Sequence, residues 1–351
     1  MKGATPTPDP ASALLAHLRR ELSAPDLAYA EPPAALRGGY DTRIFRFRLS
    51  AAPAAWSGPL ILRVLNEAHD PFRALRERAT QNALSVLGYP VPRVLSACAD
   101  RAPLGAGFLV MERAPGVPLL DVRRPGVGRT LAAAQARLHA LNPEPVLRAL
   151  DDEGRAAGWA FDRETVGFEG HLASLDRRIG QAGLTGLADG MRWLRAGRPA
   201  AASGRVICHG DFHPQNVLAL DGRVTAVLDW PNVVVAEAEY DVASTRVILG
   251  LTPIALFPVP AALRPVLAAL RRVLVARYLA SYRRLRPLDR ARLPYFEAAA
   301  CMRGLVRAAE ARAAGSAAAV SPLDASSFGE RLAARFTRVT GVPASLPPRR
   351  G

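Results

Sequence analysis

The chain has 351 residues, 50% hydrophobic and 22% charged, which supplies a sizeable core, excludes wholesale disorder and suits two lobes. Its formal net charge is +15, and Lys2 is the sole lysine, so almost all of the basic charge is arginine. Cys98, Cys208 and Cys301 are far apart and form no CxxC, which excludes a disulfide scaffold or a Cys-based zinc knuckle and fits a reducing, cytoplasmic setting. No stretch of about 18 apolar residues is free of arginine, so no membrane span is expected. The opening MKGATPTPDP lacks the apolar region of a signal peptide.

In chain order, residues 11–23 read as an amphipathic helix with Leu14, Leu15 and Leu18 on one face. A proline-rich break at 31–33 precedes ALRGGYDTRIFRFRLS, where Gly38 and Gly39 punctuate two strand-like runs and 43–49 alternates, the mark of a hairpin. Residues 59–65 (PLILRVL) form a third strand, and 71–88 a helix that starts at Pro71 and stops at Gly88. Short strands follow near 92–98 and 106–112. Beyond Met111 the texture changes. Residues 127–141 and most of 168–197 read as helix, 205–208 and 224–229 as short strands around a loop, and 260–315 as long arginine-bearing helices. The pattern predicts an α+β chain of two lobes: a small antiparallel-sheet lobe with one main helix over 1–112, and a larger helical lobe over 113–340. A hinge is expected near 112–116 and a flexible, proline-rich tail over 341–351.

Charge is uneven along the chain. Residues 251–351 hold 17 arginines against 5 acidic residues, leaving only +3 for residues 1–250. Such a basic third suits an anion, a nucleic acid, a membrane surface or simply solvated helix faces. No aromatic interleaving or nucleic-acid module accompanies it, so no specific nucleic acid is expected.

The stretch 206–229 carries the chemistry. A short apolar strand delivers the loop His209-Gly210-Asp211-Phe212-His213-Pro214-Gln215-Asn216, and two further strands around Asp221-Gly222 end at Asp229. That ribbon brings Asp211, Asn216 and Asp229 to one end. Phosphoryl transfer needs such a set: oxygen ligands hold Mg²⁺ against nucleotide phosphates, and a carboxylate meets the acceptor hydroxyl. The D-x₄-N spacing is that of the protein-kinase catalytic loop, with Asp-Trp-Pro at 229–231 in place of D-F-G. Gly210 and Pro214 preclude the helix on which His209 and His213 could form a zinc pair.

HGDFHPQNVL, followed by VTAVLDW and AEYDVAS, resembles the aminoglycoside phosphotransferase/choline-kinase-like family, and the wider pattern agrees over roughly residues 30–250. GGYDTRIFRF is similar to that family's first hairpin, GFLVMERAPGVPL to the strand entering its nucleotide hinge, and RLHAL to one of its helical segments. The resemblance implies a bilobal protein-kinase-like fold, with nucleotide bound by the small lobe and the acceptor by the helical lobe. It implies Asp211 as the catalytic aspartate, His209 as a brace of its loop and His213 in reach of the γ-phosphate. It gives Asn216 and Asp229 to Mg²⁺ and Asp241 to a structural role. Arg63, Glu77, Gly38, Gly39, Glu112 and Ala114 go to the nucleotide, ATP or alternatively GTP. Arg63 stands where the family carries its phosphate-anchoring lysine. In a chain almost without lysine the change says less about lost activity than it would elsewhere, and a guanidinium fork can bridge Glu77 and phosphate oxygens together.

The expected activity is therefore an ATP- and Mg²⁺-dependent phosphotransferase acting on a hydroxyl of a small molecule. The alternatives are a catalytically impaired nucleotide-binding or regulatory module, which rests on Arg63, and a protein kinase, for which D-F-G and A-P-E are missing. The resemblance implies an acceptor pocket formed by about 150–200 and 245–320; residues 151–200 are nearly balanced, with 8 acidic residues against 7 arginines. A polycationic aminoglycoside would ask for a clearly acidic pocket, and a neutral or anionic hydroxylated metabolite fits as well. The oligomeric state is not legible.

Overall fold

The structure is a computed structural model describing residues 9–36, 42–122, 126–159, 161–200, 204–256, 259–314 and 326–348. The small lobe runs α1 (Pro10–Glu21), β1 (Ala28–Ala35), β2 (Thr42–Ser50), β3 (Leu60–Leu65), α2 (Arg73–Val86), β4 (Val94–Cys98) and β5 (Phe108–Glu112). Its five strands form one antiparallel sheet in the order β1-β2-β3-β5-β4.

Period-two alternation gives the sheet two apolar faces. Leu60, Leu62 and Val64 of β3 join Phe108 and Val110 of β5 on the face covered by Leu14 and Leu18 of α1. Ile61 and Leu65, with Leu109 and Met111, meet Ala74 of α2 on the other. Each fully buried Leu or Val contributes about 1.5–3 kcal/mol relative to exposure. The same alternation turns Arg63 toward α2, where it meets Glu77.

Composition reads residues 31–33 as a break, yet β1 runs through Pro32 and Pro33 with a shift of register between Glu31 and Ala34. β1 is an edge strand, where missing proline amides can face away from the ladder. The main helix begins two residues after Pro71 and ends before Gly88, whose φ of +73° suits a helix terminus. Gly38 and Gly39 lie outside the described residues.

The larger lobe contains β6 (Val117–Pro118), α3 (Val127–Leu138), α4 (Glu144–Ala157), α5 (Phe168–Gln181), α6 (Ala188–Ala196), β7 (Val206–Cys208), β8 (Val217–Leu220), β9 (Arg223–Val227) and β10 (Val234–Ala236). Four further helices follow among the described residues: α7 (Ala238–Leu251), α8 (Arg264–Leu285), α9 (Leu293–Ala314) and α10 (Phe328–Thr340). β7 pairs antiparallel with β10, and β8 pairs with both β6 and β9. Gly116 lets the linking segment press against this ribbon: its φ is +108°, and a Cβ there would lie 2.6 Å from the Ala219 carbonyl oxygen. The described end of the chain runs back over the helices. The Ser345 amide donates to the Gly186 carbonyl at 3.0 Å, and Leu346 packs against the core. Among the described residues no helix is long and apolar enough to cross a membrane.

Candidate active site

The ribbon over 206–229 follows from local chemistry. β7 is three buried apolar residues, which anchor its end in the core. Gly210 then takes φ +77°, with a Cβ position only 2.6 Å from the Asn232 carbonyl oxygen, so a side chain is excluded twice over. β8 and β9 close through Asp221 and Gly222, both at positive φ (51° and 81°), as a two-residue hairpin of the primed type demands. The hairpin register pairs Val217 with Val227, and the Leu228 amide donates to the Asn216 carbonyl at 2.8 Å. Asp229 comes next, in the left-handed region at φ 68°. Asn216 and Asp229 thus sit at the same end of the ribbon.

His209 braces this loop. Its Nε2 lies 2.9 Å from the Leu228 carbonyl oxygen, and its Nδ1 accepts the Asp211 amide at 3.2 Å. One neutral tautomer, protonated on Nε2, satisfies both. Burial lowers the pKa of this histidine and favours that neutral form, against the opposing pull of Asp241 and Asp211.

Asp211 is half-buried, with His213 Nε2 at 3.7 Å and an Arg303 guanidinium nitrogen at 4.0 Å. Burial alone would raise its carboxyl. The attraction of His213, then Arg303 and His209, outweighs burial and holds it well below the usual carboxylate range. The Asn216 side-chain amide donates through Nδ2 to the Asp211 main-chain carbonyl at 3.1 Å. Asn216 Oδ1 and the Asp229 carboxylate are hard oxygen donors, the kind Mg²⁺ takes beside phosphate oxygens and water. Among the described residues no group of three His, Cys, Asp or Glu side chains could hold a metal by itself.

Arg63 joins the two lobes. One guanidinium nitrogen donates to Glu77 Oε1 at 2.5 Å and another to Asp229 Oδ1. The charges of Glu77 and Asp229 raise its pKa, although burial by itself would lower it. Burial pushes the Glu77 carboxyl up, and Arg63 pulls it back. Glu77 Oε1 also faces the Trp230 amide at 3.4 Å, whereas Oε2 is buried with no hydrogen-bond partner among the described residues. Glu112, at the end of β5, and Ala114 are both partly exposed in the segment that crosses toward β6.

Behind the loop lies a buried polar brace centred on Asp241. Its carboxylate accepts the amides of His209 (3.1 Å) and Gly210 (2.7 Å), Gln135 Nε2 (2.9 Å) and His139 Nε2 (3.0 Å). Burial raises this carboxyl, but the hydrogen bond and charge of His139, with His209 and Gln135, bring the balance down. With Nε2 donating, His139 Nδ1 accepts the Tyr282 hydroxyl at 2.6 Å. Tyr278 donates to Gln135, and Thr245 donates to the Phe212 carbonyl at 2.9 Å. α3, α7 and α8 therefore hold the loop from behind.

The sequence reading named Asp241 but missed Gln135, Thr245, Tyr278, Tyr282 and Arg303. No local motif marks them. His139 reads as a packed helix histidine, and its link to Asp241 spans 102 residues.

The small antiparallel sheet, the helical lobe and the loop between them define a protein-kinase-like fold. A family model described as the phosphotransferase enzyme family matches residues 34–288, and the chain belongs to that family. Acyl-CoA dehydrogenase family member 11 of Pongo abelii is 28% identical over 165 residues, covering 44% of this chain and 20% of that protein. The aminoglycoside 3'-phosphotransferase of Streptomyces fradiae is 36% identical over 165 residues, covering 44% of this chain and 57% of that protein. The match thus spans about a fifth of the first relative and little more than half of the second. A thermostable mutant of the aminoglycoside phosphotransferase APH(4)-Ia, solved as a ternary complex with AMP-PNP and hygromycin B, superposes with a TM-score of 0.55 at 18% identity over 94% of this chain and 99% of its own. At that identity the likeness speaks for the fold.

Proposed function

We propose that this chain transfers the γ-phosphoryl group of ATP, with Mg²⁺, to a hydroxyl of a small-molecule acceptor. The observation that carries the reading is the convergence of Asp211, Asn216 and Asp229 at one end of the β7–β9 ribbon, with Arg63 reaching Asp229 from the sheet. In this reading the small lobe, residues 1–112, carries the nucleotide, with Glu112 and Ala114 at the adenine. Residues 113–340 carry the acceptor.

Asp211 takes the acceptor hydroxyl as a hydrogen-bond donor and aims its oxygen at the γ-phosphorus. With its pKa depressed by its neighbours, it is a weak base and receives the proton late, as the new O–P bond forms and the bond to the ADP oxygen breaks. His213 and Arg303 stand beside that carboxylate to meet phosphoryl oxygens. Mg²⁺, when bound by Asn216 and Asp229, supplies neutralisation of phosphate charge. Arg63 shares its guanidinium between Glu77 and Asp229, and turns one arm to a phosphate oxygen when nucleotide enters. Three free thiols support a reducing, cytoplasmic setting.

One observation favours a second reading. Arg63 bonds Asp229 directly, and a guanidinium that kept this grip would compete with metal binding and leave a nucleotide-binding module without transfer. Labelled ATP and GTP, incubated with Mg²⁺ and pooled hydroxylated acceptors, separate the two. Transfer is expected, and Asp211→Asn should lower it by about 10²–10⁴-fold. Nucleotide binding with no transfer to any acceptor would favour the second reading, and failure to bind nucleotide would overturn both.

A further inference from the structure

The helices α7, α8, α9 and α10 border an open cavity of about 330 Å³. Its polar lining is one-sided. Arg246, Arg331, Arg335 and Arg338 face it, with Glu297 as the single carboxylate. Glu297 is already shared: Arg335 holds both its oxygens at 2.7 and 2.9 Å, and Arg246 holds one at 3.2 Å. Among the described residues, the exposed side chains of Arg331 and Arg338 have no ion-pair partner.

A fifth arginine makes an independent case. Arg271 donates through Nη1 to the carbonyl of Gly250, a residue of the cavity wall, at 2.9 Å. Its Nη2 is buried and lacks a hydrogen-bond partner among the described residues. Burial, and then the positive charge of Arg331, lower its pKa. A buried guanidinium donor without an acceptor is costly, and like charges gathered around one carboxylate repel. Both penalties are relieved by one ligand: an anion with several oxygens.

We propose that this cavity is a binding site for a small multivalent oxyanion, a phosphate- or carboxylate-bearing metabolite, held by Arg331 and Arg338, with Arg246 and Arg335 behind them and Arg271 supporting the wall at Gly250. The volume is at the lower end of the range for small-molecule pockets, about 300–1,000 Å³, which admits a ligand of that kind and excludes a polymer segment. Guanidinium forks suit both head groups because each matches a pair of coplanar oxygens. Asp211, His213, Asn216 and Asp229 are not among the residues that line the cavity.

The test is calorimetric titration of the full chain with pyrophosphate and, separately, citrate, at low salt and with the nucleotide site first titrated with a non-hydrolysable ATP analogue. One equivalent of anion is expected to bind. In R331Q/R338Q, whose altered side chains are exposed and free of ion pairs among the described residues, affinity should fall at least tenfold, with an unchanged melting temperature and unchanged nucleotide binding. Arg271→Gln should weaken binding in the same direction. Preference for pyrophosphate assigns a phosphate-bearing ligand, and preference for citrate a polycarboxylate. No binding, or binding undiminished in R331Q/R338Q, overturns the proposal. Failure of the phosphotransferase reading would appear separately, as absent nucleotide binding or transfer.

Discussion

Arg63→Met keeps the apolar stem of the side chain and deletes the guanidinium that spans Glu77 and Asp229. The two carboxylates respond differently. The Asp229 side chain is 35% exposed, so water replaces the lost partner at little cost. The Glu77 side chain is 0% exposed and retains the Trp230 amide at 3.4 Å, leaving a buried charge nearly bare. Breaking a buried pair from one side costs about 3–5 kcal/mol, and nearly all of it should come from Glu77. The double variant R63M/E77M removes both charges and should recover at least half of the loss. Urea denaturation of the wild type, both single variants and the double variant at neutral pH gives the coupling directly.

The pH dependence follows from the same burial. Without Arg63 the Glu77 carboxyl is raised further above its usual value, so the folded chain favours the protonated form. That contribution is complete below the unfolded value of 4.5 and is lost as pH rises through the raised folded value. The deficit of R63M should therefore shrink on acidification toward that value. A loss under about 1 kcal/mol, or a cycle without coupling, would refute the reasoning.

Three further outcomes are expected. Asp241 is held below its usual pKa, so its contribution is present above the unfolded value of 3.8 and lost as pH falls through the lower folded value; the stability gap between wild type and Asp241→Asn should narrow over that acid range in denaturation curves. Gly210→Ala should cost at least about 1–3 kcal/mol from the left-handed backbone alone, with the clash against Asn232 adding to it, and should abolish transfer in the phosphotransferase assay. His139→Ala takes one donor from Asp241 and the acceptor from Tyr282, and thermal or chemical denaturation should register a loss of about 1–3 kcal/mol.

The sequence by itself determined what is local. The period-two pattern of PLILRVL, the apolar triplet before His209, the Asp-Gly turn and the D-x₄-N spacing each act within a few residues, through backbone sterics and alternation, and they give the sheet, the ribbon and the meeting of Asp211, Asn216 and Asp229. Only the tertiary structure decided the rest. β1 continues through Pro32 and Pro33 because it lies at an edge. Arg63 reaches Asp229 across 166 residues, and Arg303 approaches Asp211 from a helix that no motif marks. The brace of Gln135, His139, Tyr278 and Tyr282 exists because a buried carboxylate, Asp241, must be given hydrogen-bond donors, and the donors come from whichever helices pack around it. That demand is set by burial, which belongs to the folded chain as a whole and leaves no periodic trace in the sequence.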